Sequence, residues 1–234
     1  MTKYQEQTQL LDPLLESVVG PLAQLLSQLA RERSSVASNA AADAPAAGGE
    51  VLGRVGAVAR LLWVVATVRG HKTVVRFFPN DVASFEPAVA LLLALDAAAA
   101  GARPTGFDDP GSCWEAPCVL LLWLSVLVLV PFDISIIDSG ATGPPGGPGD
   151  GDRASGCPPL VRTMLTLCQR HLGSPGSSRE MAAAVLGRLL VRPDTVAVRR
   201  QFLDWACATL QATMADSREG AFLVPGQHTV PPHL

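Results

Sequence analysis

Apolar residues recur at helical spacing along most of the chain, and no stretch alternates convincingly between apolar and polar positions with a period of two. The clearest helical pattern covers residues 51–69. Its apolar positions are Val51, Val55, Val58, Leu62 and Val65. This spacing predicts an amphipathic helix with Arg54 and Arg60 off the apolar stripe, and Gly70 is suited to cap its end.

The N-terminal segment opens with Asp12-Pro13, an N-cap residue followed by a proline that fits the first helical turn. Apolar residues continue at helical spacing to residue 33. Gly20-Pro21 is predicted to divide this stretch into two short helices, because proline removes a helical hydrogen bond. Residues 34–50 are small and polar, with no large hydrophobic side chain to bury, and we expect a flexible linker there.

Further helices are predicted downstream. Pro79-Asn80-Asp81 begins a helix that continues through the apolar run ending at Ala100. Three more helices are predicted over residues 158–172, 178–191 and 194–215. Ser178 is the expected N-cap of the middle one, and Arg192-Pro193-Asp194 separates it from the last.

These elements give an all-α organisation with long insertions. We expect N-terminal helices over 1–33, a flexible linker over 34–50 and helical repeats over 51–138, with a loop at 101–112 inside them. A glycine- and proline-rich insertion at 139–156 precedes further helical repeats over 157–216, and 217–234 is expected to be a frayed tail.

The segment Ala116–Phe132 contains 17 residues without a charge and raises the question of a membrane span. A span needs about 20 apolar residues. Pro117 and Pro131 shorten the regular helix to roughly 13 residues, and the flanking residues are the acids Glu115 and Asp133, where a span usually has basic neighbours. We therefore expect a buried helix. The alternative is a small helical membrane-associated protein anchored by residues 116–132.

The composition agrees with a helical protein. Hydrophobic residues make up 48% of the chain and aromatic residues only 5%, which favours helix packing over a β-sandwich. A net charge of −3 gives no reason to expect nucleic-acid binding. The five cysteines form no CxxC motif, and the N-terminus does not resemble a signal peptide, so we expect a reduced, cytoplasmic protein.

The sequence offers little for catalysis or cofactor binding. The glycine-rich run from Gly143 to Asp152 lacks the GxxxxGK[ST] pattern of a phosphate-binding loop. Cys168 and His171 stand three residues apart on a predicted helix, but no second ligand pair lies near them, so we expect a buried cysteine and a histidine at a helix end. GxSxG and HExxH motifs are absent. We predict no catalytic, metal-binding or cofactor-binding residue and no enzyme activity.

One charge pattern stands out. No acidic residue lies between Glu50 and Asp81, although that interval contains five Arg and Lys residues. Four cations or potential cations surround the Gly70 turn: Arg69, His71, Lys72 and Arg76. They are our candidate site for an acidic partner surface. The alternative, an ordinary solvated face, is favoured by the charge pattern alone.

Five segments of the chain together resemble the N-terminal part of the tubulin-folding cofactor D family. They are KYQEQTQLLDPLLE from Lys3, VATVRGHKTVVRFFPNDVASFEPAVALL from Val65, WEAPCVLLLWLSVLVLVPFDIS from Trp114, AAAVLGRLLVRPD from Ala182 and QFLDWACATL from Gln201. The VRGxKTxxRxFP and LLLWLS…PFD runs are the most specific, because a generic helix would not reproduce their polar and proline positions. The resemblance covers about residues 3–215.

The resemblance implies a non-catalytic α-solenoid of HEAT/armadillo repeats associated with the microtubule cytoskeleton in the cytoplasm. It implies β-tubulin, tubulin-folding cofactors E and C, and an Arf-like small GTPase as partners. It also implies a GTPase-activating role that needs the complete protein. Only the first segment of that longer family is represented, so we expect a fragment, a truncated product or a partial duplicate, with a non-functional remnant as an alternative.

Overall fold

The computed structural model describes residues 7–38, 44–101, 113–139 and 157–216, and these residues contain helices and no strand, so the all-α prediction is confirmed. The α-helices are α1 (Asp12–Ser38), α2 (Ala44–Arg69), α3 (His71–Val74), α4 (Phe85–Gly101), α5 (Glu115–Leu127), α6 (Ile134–Ile137), α7 (Pro159–Leu172), α8 (Ser178–Leu189) and α9 (Val196–Asp216). Within the described ranges, four short 3-10 helices cover Thr8–Leu11, Val75–Phe77, Val82–Ser84 and Pro193–Thr195. The chain divides into two compact units, Met1–Val130 and Pro131–Leu234.

The first unit is built from two layers of helices. Helix α1 packs on α2 and α4, and α5 packs on α2 and α4, so each helix contacts two of the other three. The core of α1 and α2 comes from the inward stripes Leu15, Val19, Ala23 and Leu26 on α1 and Val51, Val55, Ala59 and Leu62 on α2. The two stripes face the interior of the unit, and their burial gives the unit a continuous apolar core.

The predicted break at Gly20-Pro21 is wrong, because α1 runs without interruption through Pro21. Proline costs one backbone hydrogen bond inside a helix. Here Val19 and Ala23 are completely buried on either side of it, while Pro21 itself is exposed. Packing on both sides of the proline therefore keeps the helix continuous, although the local sequence predicts a break there.

The predicted linker over 34–50 is also largely helical where the structure describes it. Helix α1 continues to Ser38 and α2 begins at Ala44. The alanines in this stretch are strong helix formers even without a large side chain to bury, which is why a burial argument missed them. Residues 39–43 lie outside the described part of the chain.

Helix α5 answers the question raised by the apolar run 116–132. It spans 13 residues, which is the predicted length, but Pro117 lies inside its first turn and it ends four residues before Pro131. Almost all of its side chains are buried in the first unit. By length and composition alone, two other helical stretches in the described part of the chain, Gly48–Arg69 and Val82–Gly101, could cross a membrane, with 39% and 44% of their apolar windows buried. Core helices of soluble proteins pass the same test, so this is weak evidence for a membrane.

The second unit contains the three helices predicted near the C-terminus. Helices α7, α8 and α9 begin and end within about two residues of the expected bounds, and Arg192-Pro193-Asp194 separates the last two as predicted. The expected N-cap at Ser178 is wrong: Ser178 is the first helical residue, and the cap position is Ser177, whose side chain makes no capping bond. The expectations for 102–112, 140–156 and 217–234 fall outside the described residues.

Candidate partner-binding site

The turn between α2 and α4 carries the candidate cations, and its backbone is set by Gly70. This glycine has a φ of 93°, a conformation that costs little only without a side chain. Its N–H donates to the carbonyl oxygen of Ala66 at 2.9 Å and closes α2. Gly70 therefore ends the helix, as predicted, and turns the chain into α3.

The turn is anchored to the core by its apolar residues. Val74 is completely buried and Phe78 is 5% exposed. Phe78 lies against Trp123 of α5, with ring centroids 6.4 Å apart. The indole Nε1–H of Trp123 donates to the carbonyl oxygen of Pro79 at 2.8 Å, which satisfies a buried donor. The phenylalanine and proline of the RxFP run thus hold the turn against α5.

Asp81 closes the turn on the side of α4. Its Oδ1 accepts from the N–H of Ala83 at 3.2 Å and caps the 3-10 helix Val82–Ser84. Its Oδ2 accepts from Nη2 of Arg31 at 2.7 Å, and Ser84 forms a buried hydroxyl pair with Ser27 of α1 at 3.1 Å. These bonds join the turn to α1, so both ends of the segment 70–84 are fixed.

Arg69, the first of the four predicted site residues, is engaged within the unit. Its Nε and Nη2 donate to the two carboxylate oxygens of Asp12, with an Nη2–Oδ2 distance of 2.8 Å. The hydrogen bonds from Arg69 lower the pKa of Asp12, and the bonds to Asp12 raise the pKa of Arg69. This bidentate pair ties the start of α1 to the end of α2.

The other three site residues are differently placed. His71, Lys72 and Arg76 are exposed and form no ion pair with any described residue. Upstream on α2, Arg54 Nη1 lies 3.3 Å from Glu32 Oε1, and Arg60 Nε lies 3.6 Å from Glu115 Oε1. Among the described residues, the apparent run of five cations is thus reduced to two charges without an ion-pair partner, Lys72 and Arg76, beside the imidazole of His71.

A second polar cluster, in the unit Pro131–Leu234, was missed by sequence reasoning. Asp194 accepts two hydrogen bonds from Arg192, at 2.8 Å and 2.6 Å, and one from the backbone N–H of Ile134 at 3.1 Å. Arg192 also donates to the carbonyl oxygen of Phe132 at 2.6 Å. The pair joins the PFD and RPD runs of the chain, and its two side chains are only 12% and 11% exposed.

The pKa of Asp194 reflects this setting. Burial raises the pKa of the carboxyl, but the hydrogen bonds from Arg192 and Ile134 outweigh it and hold the pKa below the ordinary value of 3.8. A second carboxyl of this unit, Asp138, also bonds to the backbone: its Oδ2 accepts from the N–H of Leu160 at 2.7 Å and caps α7 from outside the helix. Both carboxylates organise backbone and have no visible substrate-facing role.

The predicted Cys168–His171 pair is buried, as expected for a core cysteine and a histidine at a helix end. Burial raises the pKa of the Cys168 thiol to about 12. Burial, and then the charge of Glu115, raise the pKa of Cys118 to about 12 as well. No group of three or more His, Cys, Asp or Glu side chains suited to a metal ion occurs among the described residues. Of the five cysteines, Cys207 is the exposed one.

Comparison with known proteins places these features in a family. Residues 1–210 match the family described as "Tubulin-specific chaperone D-like, ARM repeat". A relative named "Tubulin-specific chaperone D" from Dictyostelium discoideum is 34% identical over 101 residues, which is 42% of this chain. The match spans only 7% of that relative's length. No solved structure matches the chain. Because the family match covers most of the sequence, this chain belongs to the tubulin-specific chaperone D-like family of ARM-repeat proteins.

Proposed function

We propose that this chain is the N-terminal part of a tubulin-folding cofactor D-like chaperone and acts as a non-catalytic helical scaffold that binds β-tubulin. The family match over residues 1–210 carries the proposal. The name of the Dictyostelium relative supports tubulin as the client. The described residues offer helical surfaces and fixed turns for binding, which suits a scaffold better than an enzyme.

The binding surface we assign to the client is the exposed part of the Gly70 turn. Lys72 and Arg76 carry positive charges that no described acid neutralises, and His71 stands next to them. The turn is held at its first residue by the Gly70–Ala66 backbone bond and at its far end by the Trp123–Pro79 and Arg31–Asp81 bonds, so the cations are presented on a fixed backbone. A fixed basic surface favours an acidic partner through complementary charge and faster encounter.

The wider role follows from the family resemblance and belongs to the same proposal. The complete protein would work with tubulin-folding cofactors E and C, bind an Arf-like small GTPase, and stimulate GTP hydrolysis by tubulin. It would act in the cytoplasm in association with microtubules. The 234-residue chain corresponds to only a small part of a relative's length, so we assign client binding to it and the other activities to the complete protein.

A charge-reversal experiment tests the binding surface. Lys72→Glu/Arg76→Glu should weaken capture of purified β-tubulin by the 234-residue chain roughly tenfold or more at low salt. The matched control is Arg199→Glu/Arg200→Glu, which makes the same change in net charge on exposed residues of α9. Arg69 should not be used, since its reversal would break the pair with Asp12.

Binding should also weaken as salt is raised from about 0.05 M to 0.3 M, because exposed charges are screened over about 10 Å at 0.1 M. Equal capture by the wild type and the Lys72/Arg76 variant would remove the assignment of the turn but keep the client. Failure of the wild type to capture β-tubulin at any salt concentration would count against client binding by this part of the family.

A further inference from the structure

The hairpin formed by α1 and α2 has an apolar side that no described residue covers. The exposed side chains on the two helices include Leu14 at 55%, Val18 at 45% and Leu61 at 56%, and Leu10 of the 3-10 helix just before α1 is 59% exposed. Leu25, Val64 and Val68 nearby are half-buried. We call these seven residues the outer face. Single exposed leucines are ordinary on protein surfaces, but a continuous apolar patch marks an interaction site.

Helix geometry places this face on the side opposite to α4 and α5. Ser27 of α1 reaches Ser84, directly before α4, and Val18 lies nine residues earlier, about 180° around the helix at 3.6 residues per turn. On α2, Trp63 contacts Trp114, directly before α5, and Leu61 lies about 160° away from it. The two exposed rows therefore both point away from the second layer.

The rows of the two helices also run side by side. Two ion pairs, Asp12–Arg69 and Glu32–Arg54, bridge the hairpin near its two ends and align α1 and α2 in opposite directions. This alignment brings Leu14 level with Val68 and Val18 level with Val64. The outer face is thus two helices wide.

The face carries no charge between the two ion pairs that border it. Glu16 lies about 20° from Ser27 around α1 and so belongs to the opposite side. Arg60 is directed to Glu115 at the start of α5. A neutral apolar surface can meet an identical one without repulsion between like charges, and a two-fold axis always sets a patch against itself.

We propose that the outer face is a self-association surface on which a second copy of this chain docks around a two-fold axis. The unit already contains a contact of this kind, because the opposite side of the same hairpin packs on α4 and α5. In a repeat protein a helix pair that caps the stack has a polar outer side. The apolar outer face is therefore suited to another helix pair.

The size of the face sets the expected strength. From Leu10 to Leu25 the row is about 22 Å long at 1.5 Å per residue, and two helices at a spacing of about 9 Å make it roughly 20 Å wide. The resulting footprint, on the order of 450 Å², is smaller than the roughly 800 Å² per partner of a standard interface. We therefore expect a weak dimer in rapid exchange, with a dissociation constant in the micromolar range.

Sedimentation equilibrium of the 234-residue chain from about 1 to 300 μM tests the proposal in the affinity range expected. The wild type should shift from monomer to dimer across this range. Leu14→Gln/Leu61→Gln should raise the dissociation constant at least roughly tenfold, and Val18→Gln should raise it less. The control Leu203→Gln removes a leucine that is 53% exposed on α9 and should leave the constant unchanged.

Three results would overturn the proposal: a monomeric wild type throughout the range, a dimer insensitive to the outer-face variants, or a dimer lost on Leu203→Gln alone. Circular dichroism of each variant checks folding. If the double variant unfolds, Val18→Gln by itself decides the question, because it substitutes a single exposed side chain.

Discussion

The two compact units are stabilised by different means. In Met1–Val130 the stability comes from apolar burial, with α5 enclosed by α2 and α4 and the ion pairs at the margin. In Pro131–Leu234 a largely buried Arg192–Asp194 pair holds backbone groups of Phe132 and of Ile134 at the start of α6, and α9 leaves most of its surface exposed. The expected effect of a substitution therefore depends on whether it disrupts buried apolar packing or a buried polar pair.

The largest effect is expected from a charge placed inside the apolar unit. Leu122 of α5 is 4% exposed, and Leu122→Asp would bury an unpaired carboxylate at a cost of about 5 kcal/mol or more. We expect the unit to lose its cooperative unfolding transition, as measured by circular dichroism and tryptophan fluorescence. The control Leu203→Asp on exposed α9 should be close to neutral. An intact Leu122→Asp variant would contradict the description of α5 as core.

The next effect tests the polar unit. Asp194→Asn removes a carboxylate that accepts three hydrogen bonds and leaves the largely buried Arg192 charge without its ionic partner, which should cost about 3 kcal/mol at pH 7. Urea denaturation measures this loss in free energy of unfolding. Asp204→Asn, the same change on the exposed surface of α9, is the control and should fall within error of the wild type.

The effect of Asp194→Asn should depend on pH in one direction. Because the native pKa of Asp194 is depressed, its contribution is fully present above the ordinary value of 3.8 and is lost as the pH falls through the lower native pKa. The wild type and the variant should therefore differ strongly at pH 7 and converge as the pH falls below 3.8 and through the lower native pKa. A difference that grows on acidification would contradict the bonding described for Asp194.

A smaller effect is expected from the hydrogen bond between Trp123 and Pro79 in the apolar unit. Trp123→Phe keeps an aromatic ring but removes the Nε1–H donor to the Pro79 carbonyl oxygen and part of the buried volume. The expected loss is about 2 kcal/mol by chemical denaturation. Trp205→Phe, at a half-buried position on α9, should lose less. Equal losses of stability in the two variants would show that the hydrogen bond to Pro79 adds no measurable stability.

The smallest effect is expected from the exposed pair. Asp12→Asn weakens the bond to Arg69. The effect should be small because the Asp12 side chain is 43% exposed and solvated. The variant should be slightly less stable than the wild type at low salt and indistinguishable from it at about 1 M salt, where screening is nearly complete. A loss as large as that of Asp194→Asn would mean that the two units do not differ in the way described.

Much of the helical framework could be predicted from the sequence, because its signals are local. The stripe from Val51 to Val65 and the glycine at 70 placed the end of α2. The length predicted for α5 from the prolines around 116–132 was right, but the helix begins before Pro117 and ends before Pro131 is reached. The errors at Pro21 and 34–50 arose where tertiary packing or alanine content overrode a local rule.

The candidate site could be predicted only in part. Its cations are visible in the sequence, but the bond that engages Arg69 comes from Asp12, 57 residues away. Likewise, Arg192 and Asp194 are neighbours in the chain, whereas the backbone groups they hold lie about 60 residues upstream. Long-range pairing of this kind follows from the fold and leaves no periodic pattern for sequence reasoning to detect.

The burial of the thiols gives the chain a built-in position for labelling. Cys118 and Cys168, with pKa values near 12, hold almost no thiolate at pH 7.5, and thiolate is the form that reacts with maleimides. Cys157 is buried and Cys113 half-buried, which leaves Cys207 on α9 as the most accessible sulfur. A fluorescent maleimide used briefly and at low excess should therefore mark α9 without any engineered cysteine. The dye would then report what approaches that helix when a client binds elsewhere on the chain.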